Sequence, residues 1–202
     1  MKNRKAIYTI VALIFAVGFY IYDNYSIEDF QESNETPNLE IGSDFLPTST
    51  TGAIVTHNYY TLSYSEKHEQ AEWVAYSLLA EHISNANFNR PYFEKDPKVA
   101  TQSAHYKNYS NSGYDKGHLC PAGDRKFSKF AFDETFLTSN ISPQNHKFNA
   151  GIWNRLEQKS RYWATKYKEL YIITGGILSA NLKSIGSEKV TVPNYFYKII
   201  LD

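Results

Sequence analysis

Two polar segments constrain this chain more than any of its apolar runs. The first is Gly113-Tyr-Asp-Lys-Gly-His-Leu-Cys-Pro-Ala-Gly-Asp124. The second is Ser139-Asn-Ile-Ser-Pro-Gln-Asn-His-Lys-Phe-Asn-Ala-Gly-Ile-Trp-Asn-Arg-Leu-Glu157. The first holds a histidine in a glycine-flanked, polar stretch, where backbone can turn sharply or approach closely. The second runs into the clearest helical pattern of the chain, Phe148 to Leu170, with Trp153, Leu156, Trp163 and Tyr167 as its expected apolar stripe. A fold for this chain must present both segments, and neither reads as ordinary core.

Around them the chain reads as mixed α and β. His57 to Tyr64 alternates as a strand does. Gln70 to Ile83 carries Trp73, Val74, Tyr76, Leu78 and Leu79 at spacing compatible with a helix. Residues 84–117 are polar and read as a long surface excursion, the kind of segment that is usually functional. Leu170 to Thr174 is a strand stopped by Gly175-Gly176, and Lys189 to Leu201 is another, bent near Pro193. The chain stops at Asp202 inside that strand, which reads as a domain cut short. The 17 tyrosines suit a half-exposed sheet, where an apolar body and a polar tip are both useful.

The N-terminus has a different character. Met-Lys-Asn-Arg-Lys precedes an uncharged apolar run over residues 6–22, the pattern of an export signal. A membrane-spanning helix needs about 17–25 residues. Residues 1–22 therefore read as a signal anchor or a cleaved signal peptide, with Ala16-Val-Gly18 as the candidate cleavage region. This implies an exported protein, anchored to the membrane or secreted. Residues 23–52 are rich in Ser, Thr, Asn, Glu and Pro and read as a polar tether, which leaves a folded domain over 53–202.

Charge excludes simple electrostatic binding to nucleic acid. The chain carries 21 basic and 21 acidic residues; without Lys2, Arg4 and Lys5 the remainder is about −3. A basic surface would have to be local, and Lys116, Arg125, Lys126 and Lys129 crowd the first segment. The lone Cys120 lacks the partners of a disulfide or a zinc site and reads as packing.

Three side chains carry the candidate chemistry. His118 offers a neutral imidazole, able to take a proton near neutral pH. Asn149, at the expected first turn of the helix, is either a cap or an amide-oxygen ligand for a hard cation. Glu157, two turns along, is either an exposed partner of Arg161 or a carboxylate turned toward the site. A base, a hard-metal ligand and an acid are the parts needed to cut a phosphodiester.

Together these segments resemble the DNA/RNA non-specific endonuclease family. Its Asp-Arg-Gly-His signature reads here Asp115-Lys116-Gly117-His118, followed by Leu119, Pro121 and Ala122. Its second block appears as Asn140 to Glu157. Weaker similarity extends over about residues 57–202, through Arg90, Asp96 and Val192-Pro-Asn-Tyr-Phe-Tyr-Lys198. The resemblance implies an α+β fold with a ββα-metal (His-Me finger) site and a mixed or antiparallel sheet with flanking helices. It implies hydrolysis of DNA and RNA to 5′-phosphate and 3′-hydroxyl ends. His118 would be general base and Asn149 the Mg²⁺ ligand, with Mn²⁺ as a substitute. Glu157 would hold water on the metal, Asn140 would orient the site and Arg90 would contact phosphate. Lys116 departs from the signature arginine and cannot reproduce its planar grip, so a non-catalytic nucleic-acid-binding module on the same fold is the alternative.

Overall fold

The structure is a computed structural model that describes residues 45–202 together with Leu13–Phe15 and Val17. The chain divides into two units, Met1–Asn38 and Leu39–Asp202. Of the first unit only those four residues are described, helical and exposed. Apart from those four residues, the export signal lies outside the described residues, as does most of the tether. Among the described residues no helix is long and apolar enough to cross a membrane, so the expected anchor gains no support.

The second unit is built on a five-stranded antiparallel sheet, in the order β1 (Ile54–Thr56), β2 (Thr61–Ser65), β3 (Gln70–Leu79), β6 (Glu169–Gly176), β9 (Phe196–Leu201). The helix expected over 70–83 is instead the central strand β3, ending in a short 3-10 turn at Ala80–His82. Its run of apolar residues reflects burial on both faces. Val74, Tyr76 and Leu78 point into the main core with Leu62, Tyr64, Leu170 and Ile172, while Trp73 and Ala75 join Ile173 on the other face. A strand covered on both sides loses the polar–apolar alternation that would reveal it, and a short apolar run then mimics a helix.

Residues 45–52, read from sequence as the end of the tether, cover that second face as an ordered strap. Leu46 packs on the Trp73 cluster, Phe45 stacks on Tyr171 at 4.9 Å, and Trp73 Nε1 donates to the Thr48 carbonyl at 3.2 Å. Ser49 and Thr51 bond to β2, and Thr50 bonds to Glu72. Hydroxyls that look like linker chemistry are here satisfying strand edges.

Beside the sheet lies a ββα unit. Strand β4 (Asp115–His118) pairs antiparallel with β5 (Ile141–Gln144). A helical stretch follows β5: one turn of helix, α2 (His146–Phe148), a π-helical turn at Asn149–Trp153, and then α3 (Asn154–Tyr167). The earlier helix α1 spans Lys129–Glu134. The expected single helix from Phe148 is thus interrupted by a wide turn, with Gly151 off helical geometry. Such π turns inside helices are frequent at functional sites. The 84–117 excursion is irregular as far as Tyr114, apart from a bridge at Glu94 and a 3-10 turn at Tyr106–Tyr109. Its last three residues open β4, and Asp96, Val99, Ser103 and Tyr109 are buried, so it does not lie wholly on the surface. Strand β9 begins at Phe196, after the two-residue pairing of β7 (Ser184–Ile185) with β8 (Val190–Thr191) and the Pro193 break.

Candidate active site

The antiparallel register of β4 on β5 sets the site. Asp115 lies opposite Gln144, the residue where β5 ends and the helical stretch begins. Asp115 can therefore reach into that stretch. Its Oδ2 accepts from Asn149 Nδ2 at 2.9 Å and pairs with His146 Nδ1 at 2.9 Å. These contacts and the charges of His146 and Lys116 outweigh partial burial and hold the Asp115 carboxyl below its ordinary value. Asn149 is not a cap through its side chain. With its amide N–H spent on Asp115, its carbonyl oxygen is left free, a neutral hard donor of the kind Mg²⁺ accepts. Glycine at 117 is required by close approach, since a Cβ there would lie 2.2 Å from Gln144 Cδ.

His118, three residues along β4, packs among aromatics. Phe93 lies 5.6 Å and Phe136 5.0 Å from its ring, the latter edge-on. Its Nε2 is enclosed and has no hydrogen-bond partner. Burial chiefly, and the Arg90 charge secondarily, push its pKa down to about 3, so the ring is neutral at any physiological pH. Arg90 is exposed, with its guanidinium carbon 5.3 Å over the Phe136 ring. Phe136 thus holds the histidine on one side and the arginine on another. Lys116 Nζ sits 5.5 Å over Phe93, on the same strand face as His118.

Glu157 occupies the inward seam of α3 rather than its exposed side. The buried positions run Trp153, Ser160 and Ala164, so Glu157 falls on the same face. The expected stripe was partly wrong: Tyr167 is 47% exposed, because the seam that packs is made of small residues. Burial raises Glu157 to about 7, with Lys198 offsetting and Asp124 reinforcing the shift. The alternative Glu157–Arg161 pair does not form, since Arg161 Nη1 bonds Asp124 Oδ1 at 2.5 Å. Lys198 is held between the Trp153 and Tyr76 rings at 5.0 and 5.6 Å.

Asn140 is fully buried and fully bonded. It accepts from Cys120 N and donates to the carbonyls of Cys120 and Thr135, which pins the chain just past His118. It positions the strand and does not face the site. The basic patch that the first segment could supply is reduced to Lys116 and Lys126. Arg125 is completely buried, donating to the Tyr59 and Ser77 carbonyls, and Lys129 pairs with Asp133. Cys120 is buried, with its thiol pushed up to about 12, as a packing residue should be.

The structure therefore joins Asn149 to Asp115 and brings Arg90 to His118 through Phe136. No hydrogen bond links His118, Asn149 and Glu157 to one another. Sequence reasoning gave no role to Asp115, His146 or Phe136. The signal for Asp115 was available, because a strand pair leading into a helix puts the first residue of one strand beside the start of that helix.

A sequence-family model described as "DNA/RNA non-specific endonuclease" matches residues 38–202. The chain is similar to the mitochondrial nuclease EXOG of Danio rerio, 34% identical over 198 residues, covering 92% of this chain and 56% of that protein. It is similar to nuclease C1 of Cunninghamella echinulata var. echinulata, 32% identical over 180 residues, covering 82% and 71%. It is also similar to human mitochondrial endonuclease G, 33% identical over 154 residues, covering 70% and 52%. The chain spans about half the length of most of these relatives. Among solved structures, a chain of the crystallised EndoG/EndoGI complex, reported as explaining EndoG inhibition, superposes with a TM-score of 0.68. It is 30% identical and covers 77% of this chain and 69% of that one.

Proposed function

The chain belongs to the DNA/RNA non-specific endonuclease family, and from that membership we propose that it hydrolyses phosphodiester bonds of both DNA and RNA with the help of a divalent cation. The observation that carries this reading is the Asp115–Asn149 bond, which commits the amide N–H and leaves the Asn149 oxygen as donor. Glu157 would add negative charge for the same cation. The donor set is all oxygen, which fits Mg²⁺ first and Mn²⁺ as a substitute. When bound, such an ion supplies charge to offset that growing on the phosphate and on the leaving 3′ oxygen.

The protein's own groups do the rest. His118 takes a proton from the attacking water through Nδ1, since Nε2 is enclosed. A pKa near 3 makes a weak base of the ring by itself, but a phosphate anion beside it would raise that value. Arg90 contacts the phosphate, and its stacking on Phe136 limits the entropy lost on binding. Lys116 adds a point charge where the family signature has an arginine. The products carry 5′-phosphate and 3′-hydroxyl ends. Contacts to the backbone alone carry no sequence information, so cleavage is sequence-tolerant. Asn140 acts at one remove, by fixing the segment after His118. The basic flank and apolar run of residues 1–22 support export. The N-terminal mass of the exported protein separates an anchor from a cleaved signal.

Plasmid nicking by the full chain, with Mg²⁺ or with EDTA, tests the reading. Cutting should require the metal, and His118→Ala should lose roughly 100-fold or more of the rate. DNA binding without cutting in a folded sample would favour the non-catalytic module. Equal cutting by His118→Ala would sink the mechanism.

A further inference from the structure

A groove of about 450 Å³ opens directly beside the Asn149–Asp115 contact. Two of its walls are the chain neighbours of that pair: Tyr114 precedes Asp115, and Phe148 precedes Asn149. The facing side is made by Asn194, Tyr195 and Phe196, from the turn that leads into β9. Phe148 and Phe196 stack on one another at 5.3 Å, with planes 24° apart, and Phe148 also packs on Trp153 at 5.2 Å. That end of the groove is a rigid aromatic surface. Tyr195 differs: its carbonyl is held by the Ile177 N–H at 2.9 Å, yet its side chain is 73% exposed. The backbone is fixed and the ring is left without a partner.

Besides the hydroxyls of Tyr114 and Tyr195, the polar side chains of the groove are amides. The Asn194 side chain makes no hydrogen bond, and that of Asn145 is engaged only through its oxygen, which accepts from Lys147 N. No carboxylate lines the groove, and Lys183 Nζ stands 5.6 Å over the Tyr114 ring. Aromatic faces, free amides, a nearby cation and no carboxylate in the lining itself describe a surface that suits a nucleobase with its phosphate.

We propose that this groove receives one unpaired nucleobase of a single-stranded nucleic acid, adjacent to the phosphate held at the Asn149 centre, with Tyr195 as its exposed stacking face. The inference rests on the phosphodiesterase reading above and adds a preference to it. A base can stack on a protein ring only if it has left its own duplex stack, so the groove favours single strands. Stacking is sequence-tolerant, because every base has a π-face, and it does not conflict with weak sequence preference.

The test compares the full-length protein with Tyr195→Ala and Tyr195→Phe on oligothymidylate, alone and annealed to oligoadenylate. Tyr195→Ala should raise KM for the single strand roughly tenfold while changing kcat and duplex cleavage much less, and Tyr195→Phe should restore it. A second measurement, anisotropy of fluorescein-labelled oligothymidylate in EDTA, reads binding without cleavage and should show the same loss and the same rescue. An unchanged single-strand KM in Tyr195→Ala, or equal losses on both substrates, overturns the subsite while leaving the nuclease reading intact. If the unaltered protein cuts nothing but binds the single strand through Tyr195, the nuclease reading fails and the subsite stands. If binding is the same in all three proteins, the subsite falls.

Discussion

Glu157 carries its proton near neutrality because the helix seam on which it lies faces inward. Burial raises it to about 7, and the half-buried Lys198 offsets only part of that. A divalent cation favours the carboxylate, so binding below that value must expel the proton. We expect Mg²⁺ to bind roughly tenfold more weakly one pH unit below 7 than at alkaline pH, where the carboxylate is fully ionised. Calorimetric titration at pH 6.5, in buffers of different ionisation enthalpy, should detect the released proton in the unaltered protein and none in Glu157→Gln. Equal release in both would show that another group titrates. At this scale the sequence was informative about residue types and less so about neighbours. His118, Asn149 and Glu157 could be picked out from their motifs. That Arg161 would turn to Asp124 depends on side-chain directions no spacing records.

Strand β4 owes its place to a missing atom. Gly117 lies flat against the buried Gln144 side chain, and a methyl group there would overlap it. Gln144 is completely buried, so no open solvent stands beside it to swing into. Gly117→Ala should therefore cost about 1–3 kcal/mol of stability, seen as a lower urea midpoint. It should also depress nicking beyond that loss, because His118 is the next residue on the strand. An unaltered midpoint would mean that Gln144 moves freely. Elements were legible where one face alone is buried, as in α3, or where a glycine pair ends a short apolar run, as in β6. They were misread where that asymmetry vanishes. In β3 both faces are covered, and period two disappears from the hydrophobic pattern. The split between α2, the π turn and α3 has no periodic signature; only Gly151 hints at it.

For the molecule as a whole, one buried cluster ties distant segments together. His57 Nε2 lies 2.8 Å from Asp96 Oδ2, and its Nδ1 lies 3.5 Å from Glu134 Oε1. Ser139 also donates to Asp96, at 2.5 Å, and Glu134 accepts from the backbone of Asn58 and Tyr59. The turn after β1, the excursion before β4, and α1 meet there. Burial disfavours charge on His57, but the two carboxylates outweigh it and raise the imidazole above 6.5. The same bonds overcome burial to lower Asp96 and Glu134. The His57 contribution is then full below about 6.5 and fades as pH rises through its raised value. The carboxylate contributions are full above about 4.5 and fade as pH falls through their lowered values. His57→Gln should lose about 3–5 kcal/mol at pH 5.5 and distinctly less at pH 9, read by urea denaturation. Equal losses at both would rule out a charged histidine. The strap of residues 45–52 has a consequence of another kind, for anyone deciding where to cut the chain. Its composition invites removal along with the preceding polar stretch. Yet a protein begun at residue 53 would leave Trp73, Ala75 and Ile173 as a bare greasy face, and its molecules would stick to one another through it.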